Sequence, residues 1–379
     1  MRVLYISEGL TVHDERFIKL IVGGGHTLGY VRLAGKTSSA KRDSLAVEWW
    51  RDLQPAGLLE LVSLAREMES AIDAYNPDLV HAGPMHYGAF LAALAGFHPL
   101  VSVSWGSDVL LHAATSPAVA SLARYALDGS DGVLCDCDAV RDALRDLSTN
   151  RPLIAQFPWG IEVDTFLHSH ARQECRSELG WKDGFVVFTS RAWASGYDVD
   201  IALAAVFEAM RDNPSVRLLL AGDGPLRAEI DSQIRASGLA DRIHRIGLVS
   251  QAEVARYLAA SDLYLSCTPM DGSSISLMEA MASGLPAITA DAGGNREWIR
   301  TGWNGWLVKS RNINGFASAI LQCADLDLAE RRAIGSRNRE AMETRGDWKR
   351  NSQRLLDLYE SLQARAGVSA GKRLEGGMA

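Results

Sequence analysis

The stretch that decides the fold runs from Asp271 to Glu297, DGSSISLMEAMASGLPAITADAGGNRE. It opens on the polar Asp271-Gly272-Ser273-Ser274. Ile275, Met278, Met281 and Ala282 follow at helical spacing until Gly284 and Pro286 stop the run. Leu285 to Thr289 then reads as a short buried strand, and Ala292-Gly293-Gly294 as a second tight loop. A Gly/Ser loop feeding a helix offers backbone N–H groups and the positive end of the helix dipole, a ready site for phosphate. Asp271 before the helix and Glu279 within it frame that end. Carboxylates accept paired hydrogen bonds from vicinal hydroxyls, as on a ribose or a hexose. Acids for hydroxyls around amides for phosphate describe a nucleotide-sugar pocket. A plainer reading makes the stretch an ordinary helix with a capping box from Ser276 to Glu279, but it leaves the rest of the chain unaccounted for.

At 379 residues the chain exceeds one typical core and suggests two domains. Its 47% hydrophobic and 22% charged residues are ordinary globular composition. No apolar run approaches the length of a membrane-spanning helix, and MRVLYISEGL turns acidic too soon for a signal peptide. Residues 1–164 carry thirteen basic and twenty acidic side chains, while the remainder is balanced, which argues against nucleic-acid binding. Five cysteines without CxxC or zinc spacing fit a reducing compartment, so the expected location is cytoplasmic. A basic segment between Gly35 and Pro55, with Lys36, Lys41, Arg42 and Arg51 near Trp49-Trp50, reads as a solvated loop packed by two tryptophans. Its alternative use is peripheral contact with the inner face of a membrane or with an anionic acceptor.

Along the chain, strand and helix signals alternate. Val3–Ser7, His26–Leu33, Leu79–His81, Leu100–Ser104, Gly132–Leu134 and Leu153–Gln156 read as strands of a first half. Phe185–Ser190, Arg217–Ala221, Ile243–Ile246 and Leu263–Ser266 read as strands of a second. Helical patterns lie between them, so each half is an α/β, doubly wound domain with ligand sites at the carboxyl ends of its strands. The glycines Gly23-Gly24-Gly25 close a helix rather than bind a dinucleotide, because G-x-G-x-x-G is not met. The expected division is an N-terminal domain over 1–160, a C-terminal domain over 161–346, and a tail over 347–379. The tail's helix runs to Leu362, with fraying after Ala364.

The spacing of an acid, seven residues and then Glu resembles the signature of the retaining glycosyltransferases of family 4, the glycosyl transferases group 1. The wider match is GSSISLMEAMASGLPAITADAGGNREWI, and Phe157-Pro158-Trp159-Gly160-Ile161-Glu162-Val163-Asp164 resembles the family's inter-domain hinge. The resemblance implies the GT-B architecture, two Rossmann-like domains facing a central cleft, with donor on the second and acceptor on the first. The last helix crosses back to the first domain. It implies transfer of a hexosyl group from a nucleotide-diphosphate sugar to an acceptor hydroxyl (saccharide, lipid-linked or small molecule) with retained configuration. No cofactor and no metal are expected, since cationic side chains and a helix dipole take the diphosphate.

Carried onto this chain, Asp271 contacts the donor sugar and Glu279 the ribose, while Gly272, Ser273, Ser274 and Ile275 supply amides. Asp271 stands where Glu is usual. Arg191 takes the place of the family arginine that grips the diphosphate, and Ser195 the place of a family lysine. Gly222, in Gly222-Asp223-Gly224-Pro225, matches the family's G-x-G-P turn, and Val249 its base-contacting loop. In the first half Trp105 occupies the family's histidine position. His13, His86 and His112 remain as loop candidates, and Asp108 is a candidate for the sugar or the acceptor. The D-x-D of Asp136 and Asp138 recurs at Asp198 and at Asp325, so it marks no metal site. Three rivals share the architecture: a nucleotide-sugar epimerase, a phosphorylase, and a silent nucleotide-sugar-binding subunit. A phosphorylase needs a Schiff-base lysine, and Lys309, the only lysine between 183 and 348, lacks a supporting motif.

Overall fold

The computed structural model describes residues 1–33, 45–54, 61–150, 152–166 and 171–375, the last including only the backbone of 171 and of 366–375. The chain divides into two compact units, Met1–Phe157 with Ser352–Ala379, and Pro158–Asn351. The sequence-predicted basic residues Lys36, Lys41 and Arg42 lie outside the described residues.

The first unit runs β1 (Arg2–Ser7), α1 (Val12–Gly23), β2 (Thr27–Arg32), β3 (Trp49–Asp52), α2 (Leu61–Tyr75), β4 (Leu79–Ala82), α3 (Gly88–Leu94) and β5 (Leu100–Val103). A single π-helical stretch at Asp108–Ala113 follows, then α4 (Pro117–Asp128), β6 (Gly132–Cys135), α5 (Asp138–Leu147) and β7 (Leu153–Gln156). All seven strands are parallel, in the order β3-β2-β1-β4-β5-β6-β7. Leu4, Ile6, Val80, Ala82 and Val133 face a core closed by Leu64, Met68, Leu91 and Leu127.

The second unit runs α6 (Ala171–Glu178), β8 (Phe185–Ser190), α7 (Val199–Asp212), β9 (Val216–Ala221), α8 (Arg227–Ser237), β10 (Ile243–Gly247), α9 (Gln251–Ala260), β11 (Leu263–Ser266), α10 (Ile275–Ala282) and β12 (Ala287–Ala290). It closes with α11 (Asn295–Trp298), β13 (Gly305–Val308), α12 (Ile313–Asp325), α13 (Leu328–Arg345) and α14 (Trp348–Asn351). Its six parallel strands are ordered β10-β9-β8-β11-β12-β13. Alternation is visible residue by residue: Phe185 and Val187 enter one core, Val186 and Phe188 the other. A strand buried on both faces reads as a continuous apolar run, and that is why these strands are legible in sequence.

Two expectations are corrected, and the plainer capping-box reading fails as well. Trp49 and Trp50 do not belong to a loop: they begin β3, an edge strand in register with Gly29 and Tyr30 of β2. The tail helix α15 (Gln353–Glu375) is still helical beyond Ala364. Ser276 does not open a capping box, because α10 starts at Ile275 with Ser274 as its N-cap and no side-chain cap bond. Among the described residues no helix is long and apolar enough to cross a membrane.

The tail helix belongs to the first unit and covers the sheet face opposite α2. Leu355, Leu358, Tyr359 and Leu362 are buried there, and a Cβ on Gly132 would stand 3.1–3.3 Å from Leu358 and Leu362. The Tyr359 hydroxyl sits 2.6 Å from His81 Nδ1 in the middle of β4, between the rings of Tyr5 and Phe17. Burial holds the His81 imidazole neutral, its pKa pulled from 6.5 to about 3. An unfolded chain binds that proton throughout the interval between those values, so stability falls as pH drops below 6.5. The slope is at most about 1.4 kcal/mol per pH unit from this residue. Urea midpoints measured at pH 7 and pH 5 should therefore differ less for His81→Gln than for the wild type. Equal acid sensitivity in the two proteins would assign the effect to other groups.

Candidate functional site

In both sheets the chain reverses direction of growth beside the first strand of the unit, between β1 and β4 and between β8 and β11. Such switch points open a crevice at the carboxyl ends of the strands, where loops diverge to either side. Arg191 directly follows β8, Asp271 follows β11 by five residues, Gly222 follows β9, and Val249 lies just beyond β10. The second unit thus collects its sequence-predicted residues at one end of one sheet.

Arg191 is the centre of that collection. Its side chain is only 10% exposed, and Nη2 donates to Asp271 Oδ2 at 2.8 Å. Nη1 donates to Ser274 Oγ at 3.0 Å and to Ser276 Oγ at 2.9 Å. The Tyr264 hydroxyl lies 2.7 Å from the same Ser276 oxygen, and the guanidinium carbon stands 5.0 Å from the centre of the Tyr197 ring. Burial, the largest single influence, works to lower the Arg191 pKa, but the Asp271 charge together with Tyr264, Tyr197 and the hydrogen bond to Asp271 outweighs it, and the net shift is upward. Nε is buried without a partner. The cation is therefore permanent and fixed in direction.

The helix it leans on begins at Ile275. Ser274, its N-cap, accepts from Arg191 with its hydroxyl and makes no side-chain cap bond to the first turn. Ser273 and Gly272 are buried in the approach to that turn, and Glu279 lies one turn further along α10, half-buried. Two glycine loops press against this group. A Cβ at Gly293 (φ +49°) would sit 1.9 Å from the Asp271 carbonyl oxygen, which also accepts from Gly294 N–H at 3.0 Å. A Cβ at Gly222 (φ +115°) would sit 2.1 Å from the Arg191 carbonyl oxygen. Gly222 N–H donates to Gly247 O at 2.8 Å, which ties the loop before Val249 to the same end of the sheet. Ser195 lies exposed in the turn between Arg191 and α7. Arg191, Asp271, Ser274 and Ile275 are thus brought together, Gly222 braces them from behind, and Glu279 and Val249 stand further out.

The first unit builds a different cluster at its own switch point. Asp108 is buried; it accepts from Met85 N–H at 2.9 Å, Ser104 Oγ–H at 2.7 Å and its neighbour Val109 N–H at 3.1 Å. Burial raises its pKa against those bonds. It therefore clamps the loop after β4 to the loop after β5. His86 faces His112 at 5.4 Å between ring centres, and burial lowers its pKa, with Asp108 opposing. His13 lies 5.9 Å from the Trp105 ring and is pulled down to about 4 by burial, with Arg16 adding to the effect. Glu8, at the end of β1, was not singled out by its sequence context. Desolvation and the Asp108 charge raise its pKa, and His112 opposes them. Sequence reasoning also missed Tyr197 and Tyr264, which carry no motif, and offered Ser276 only as a capping residue rather than a partner of Arg191. Among the described residues no group of three or more His, Cys, Asp or Glu side chains is placed to hold a metal ion, and Asp138 instead pairs with Arg141.

Residues 184–325 match the family described as glycosyl transferases group 1, and residues 2–137 match glycosyl transferase 4-like domains. Alpha-monoglucosyldiacylglycerol synthase of Streptococcus pneumoniae is 31% identical over 175 residues, 44% of this chain and 39% of that protein. N-acetyl-alpha-D-glucosaminyl L-malate synthase of Bacillus anthracis is 24% identical over 79% of this chain and 78% of its own. Among solved structures, Anabaena HepE in complex with UDP and glucose superposes with a TM-score of 0.79 at 22% identity, covering 96% of this chain and all of that one. With two parallel, doubly wound units and matches along both of them, the chain belongs to the group 1 glycosyl transferases of glycosyltransferase family 4 and has their GT-B pair of Rossmann-like domains.

Proposed function

We propose that this glycosyltransferase moves a hexosyl group from a nucleotide-diphosphate sugar to an acceptor hydroxyl, with retention of configuration and without a divalent ion. The observation that carries the reading is the Arg191 guanidinium held at the start of α10 by Asp271, Ser274 and Ser276, with Ser274 making no side-chain cap bond. A fixed cation beside first-turn amides is suited to a departing diphosphate, because it stabilises charge where charge develops and needs no reorganisation. The donor then lies along α10, its phosphates at Ser273–Ile275 and its ribose at Glu279, with Gly222 and Val249 bordering the nucleotide. Asp271 has two tasks, aiming Arg191 and accepting from a sugar hydroxyl. The leaving phosphate oxygen takes the proton of the incoming hydroxyl on the same face of the sugar, so no protein nucleophile is required. The first unit takes the acceptor, through Glu8 after β1, His13 in the first turn of α1, and His86 on the loop that Asp108 clamps. The HepE complex makes uridine diphosphate the first nucleotide to try.

A thermal-shift series with nucleoside diphosphates tests the site directly, since ligand at a hundred times its dissociation constant stabilises by about 2.7 kcal/mol. A chain indifferent to all of them would not be using this pocket for a nucleotide. Transfer, followed with the anomeric proton of the product, should persist in excess EDTA; activity that dies there and returns with manganese would overturn the metal-free reading. Arg191→Ala should lower turnover by about 10² to 10³ and weaken nucleotide binding less, since the cation is needed most as the sugar–phosphate bond breaks. Glu279→Gln should do the reverse, weakening nucleotide affinity by about tenfold or more through loss of a charge-assisted bond. Kinetics and calorimetry on the two variants separate these outcomes, and identical behaviour in both would remove the division of roles.

A further inference from the structure

The second unit carries a concave cationic surface that the donor site does not use. It is a pocket of about 340 Å³ between α11, the turn before β13, and α13. Its floor includes Trp298, and Trp303 stands at its rim, at the amino end of β13. Arg191 and Asp271 lie in loops at the opposite, carboxyl ends of the strands.

Two arginines are fixed there by stacking rather than by acids. The Arg337 guanidinium lies 4.0 Å from the centre of the Trp303 ring and donates to the Trp303 carbonyl. The Arg345 guanidinium lies 4.6 Å from the Trp298 ring and donates to the Glu297 carbonyl at 2.9 Å. Among the described residues neither forms an ion pair with a carboxylate, and nor does Arg300 on the same wall. A main-chain carbonyl orients a guanidinium without cancelling its charge, and an indole face holds it with modest desolvation. Arg296 also lines the pocket but is paired with Asp291, and Glu297 and Glu340 are the two carboxylates of the lining. Two preoriented guanidiniums and the exposed Arg300, none of them in an ion pair among the described residues, thus share a concavity in the half of the chain whose charges otherwise balance.

Trp303 adds a second observation. It remains 52% exposed although Arg337 stacks on it, so a large apolar ring is held out at the tip of a turn beside three cations. Tryptophan beside arginine is the pairing favoured at a membrane–water interface, and bidentate arginine forks match phosphate oxygens. We infer that this pocket is a binding site for a phosphate ester. A phospholipid headgroup and a soluble phosphoester share the chemistry, and the experiment is arranged to tell them apart.

The full chain would be tested by flotation with phosphatidylcholine vesicles, with and without phosphatidylglycerol, and by calorimetry with glycerol phosphate. The expected result is saturable binding of one probe or both. Affinity should fall roughly fivefold for each arginine removed in Arg300→Gln and in Arg337→Gln/Arg345→Gln, the scale of one basic residue near an anionic surface. Binding confined to phosphatidylglycerol vesicles, with a blue-shifted emission component absent from Trp303→Phe, assigns the site to a lipid. Binding of glycerol phosphate assigns it to the phosphoester itself. Unfolding midpoints verify that the double variant is folded. Arg300, whose side chain has no partner to lose, keeps the test open if it is not. Binding of neither probe, or binding that all variants retain at wild-type strength, overturns the inference.

Discussion

A guanidinium taken out of water must be surrounded by oxygens, and that requirement organises the second unit around Arg191. Its burial is offset by one carboxylate and two hydroxyls, Asp271, Ser274 and Ser276, with Tyr264 fixing the second hydroxyl in turn. Breaking such a buried pair by removing one partner typically costs about 3–5 kcal/mol, because the other charge stays behind. These residues come from the loop after β8, the strand β11 and the loop after it, and the start of α10. The same contacts that balance a charge therefore fix the position of a helix start relative to two strands. The buried, unpartnered Nε shows that the balance is incomplete.

Close approach of backbones makes that arrangement possible. Asp271 and Arg191 are each pressed from behind by a glycine, Gly293 and Gly222, at positions where a Cβ would fall about 2 Å from a carbonyl oxygen. Gly224 does the same for Trp193, whose backbone is tied to Asp223 and to Leu226. All three glycines have positive φ, so both the space and the backbone conformation exclude side chains. Rigid loops matter here because a charge stabiliser acts only in the direction in which it is held.

What could be read in the sequence follows from this physics. Strands buried on both faces leave uninterrupted apolar runs, so β1, β8, β9 and β11 were legible from Val3, Val187, Leu219 and Leu265 and their neighbours. Arg191 and Asp271 were legible because they adjoin strand ends and glycine turns. The edge strand β3 was not, since Trp49, Trp50 and Arg51 are only half-buried and show no alternation. Helix α4 escaped notice because its buried face consists of Ala123, Ala126 and Leu127, too little apolar bulk to stand out. The capping-box pattern at Ser276, set aside in the sequence reading, fails for a clear reason. Its hydroxyl is within helical spacing of Glu279 but has stronger partners in Arg191 and Tyr264, eighty-five and twelve residues away in sequence. Tyr197 and Glu8 gave no signal at all, because each depends on a neighbour brought in by the fold.

The two units repeat one topology with opposite electrostatics, and the contrast bears on what each can hold. At the β8/β11 switch point the central group is a guanidinium whose charge is reinforced by its surroundings. At the β1/β4 switch point every shifted group moves toward its uncharged form: His13 and His86 downward, Glu8 and Asp108 upward, with desolvation the leading cause in each case. A diphosphate needs fixed positive charge, and Arg191 supplies it at the first of these. A hydroxyl needs the reverse, neutral partners that both donate and accept, and a neutral imidazole is such a partner. Desolvation in one unit and ion pairing in the other thus give the same backbone plan two different electrostatic characters.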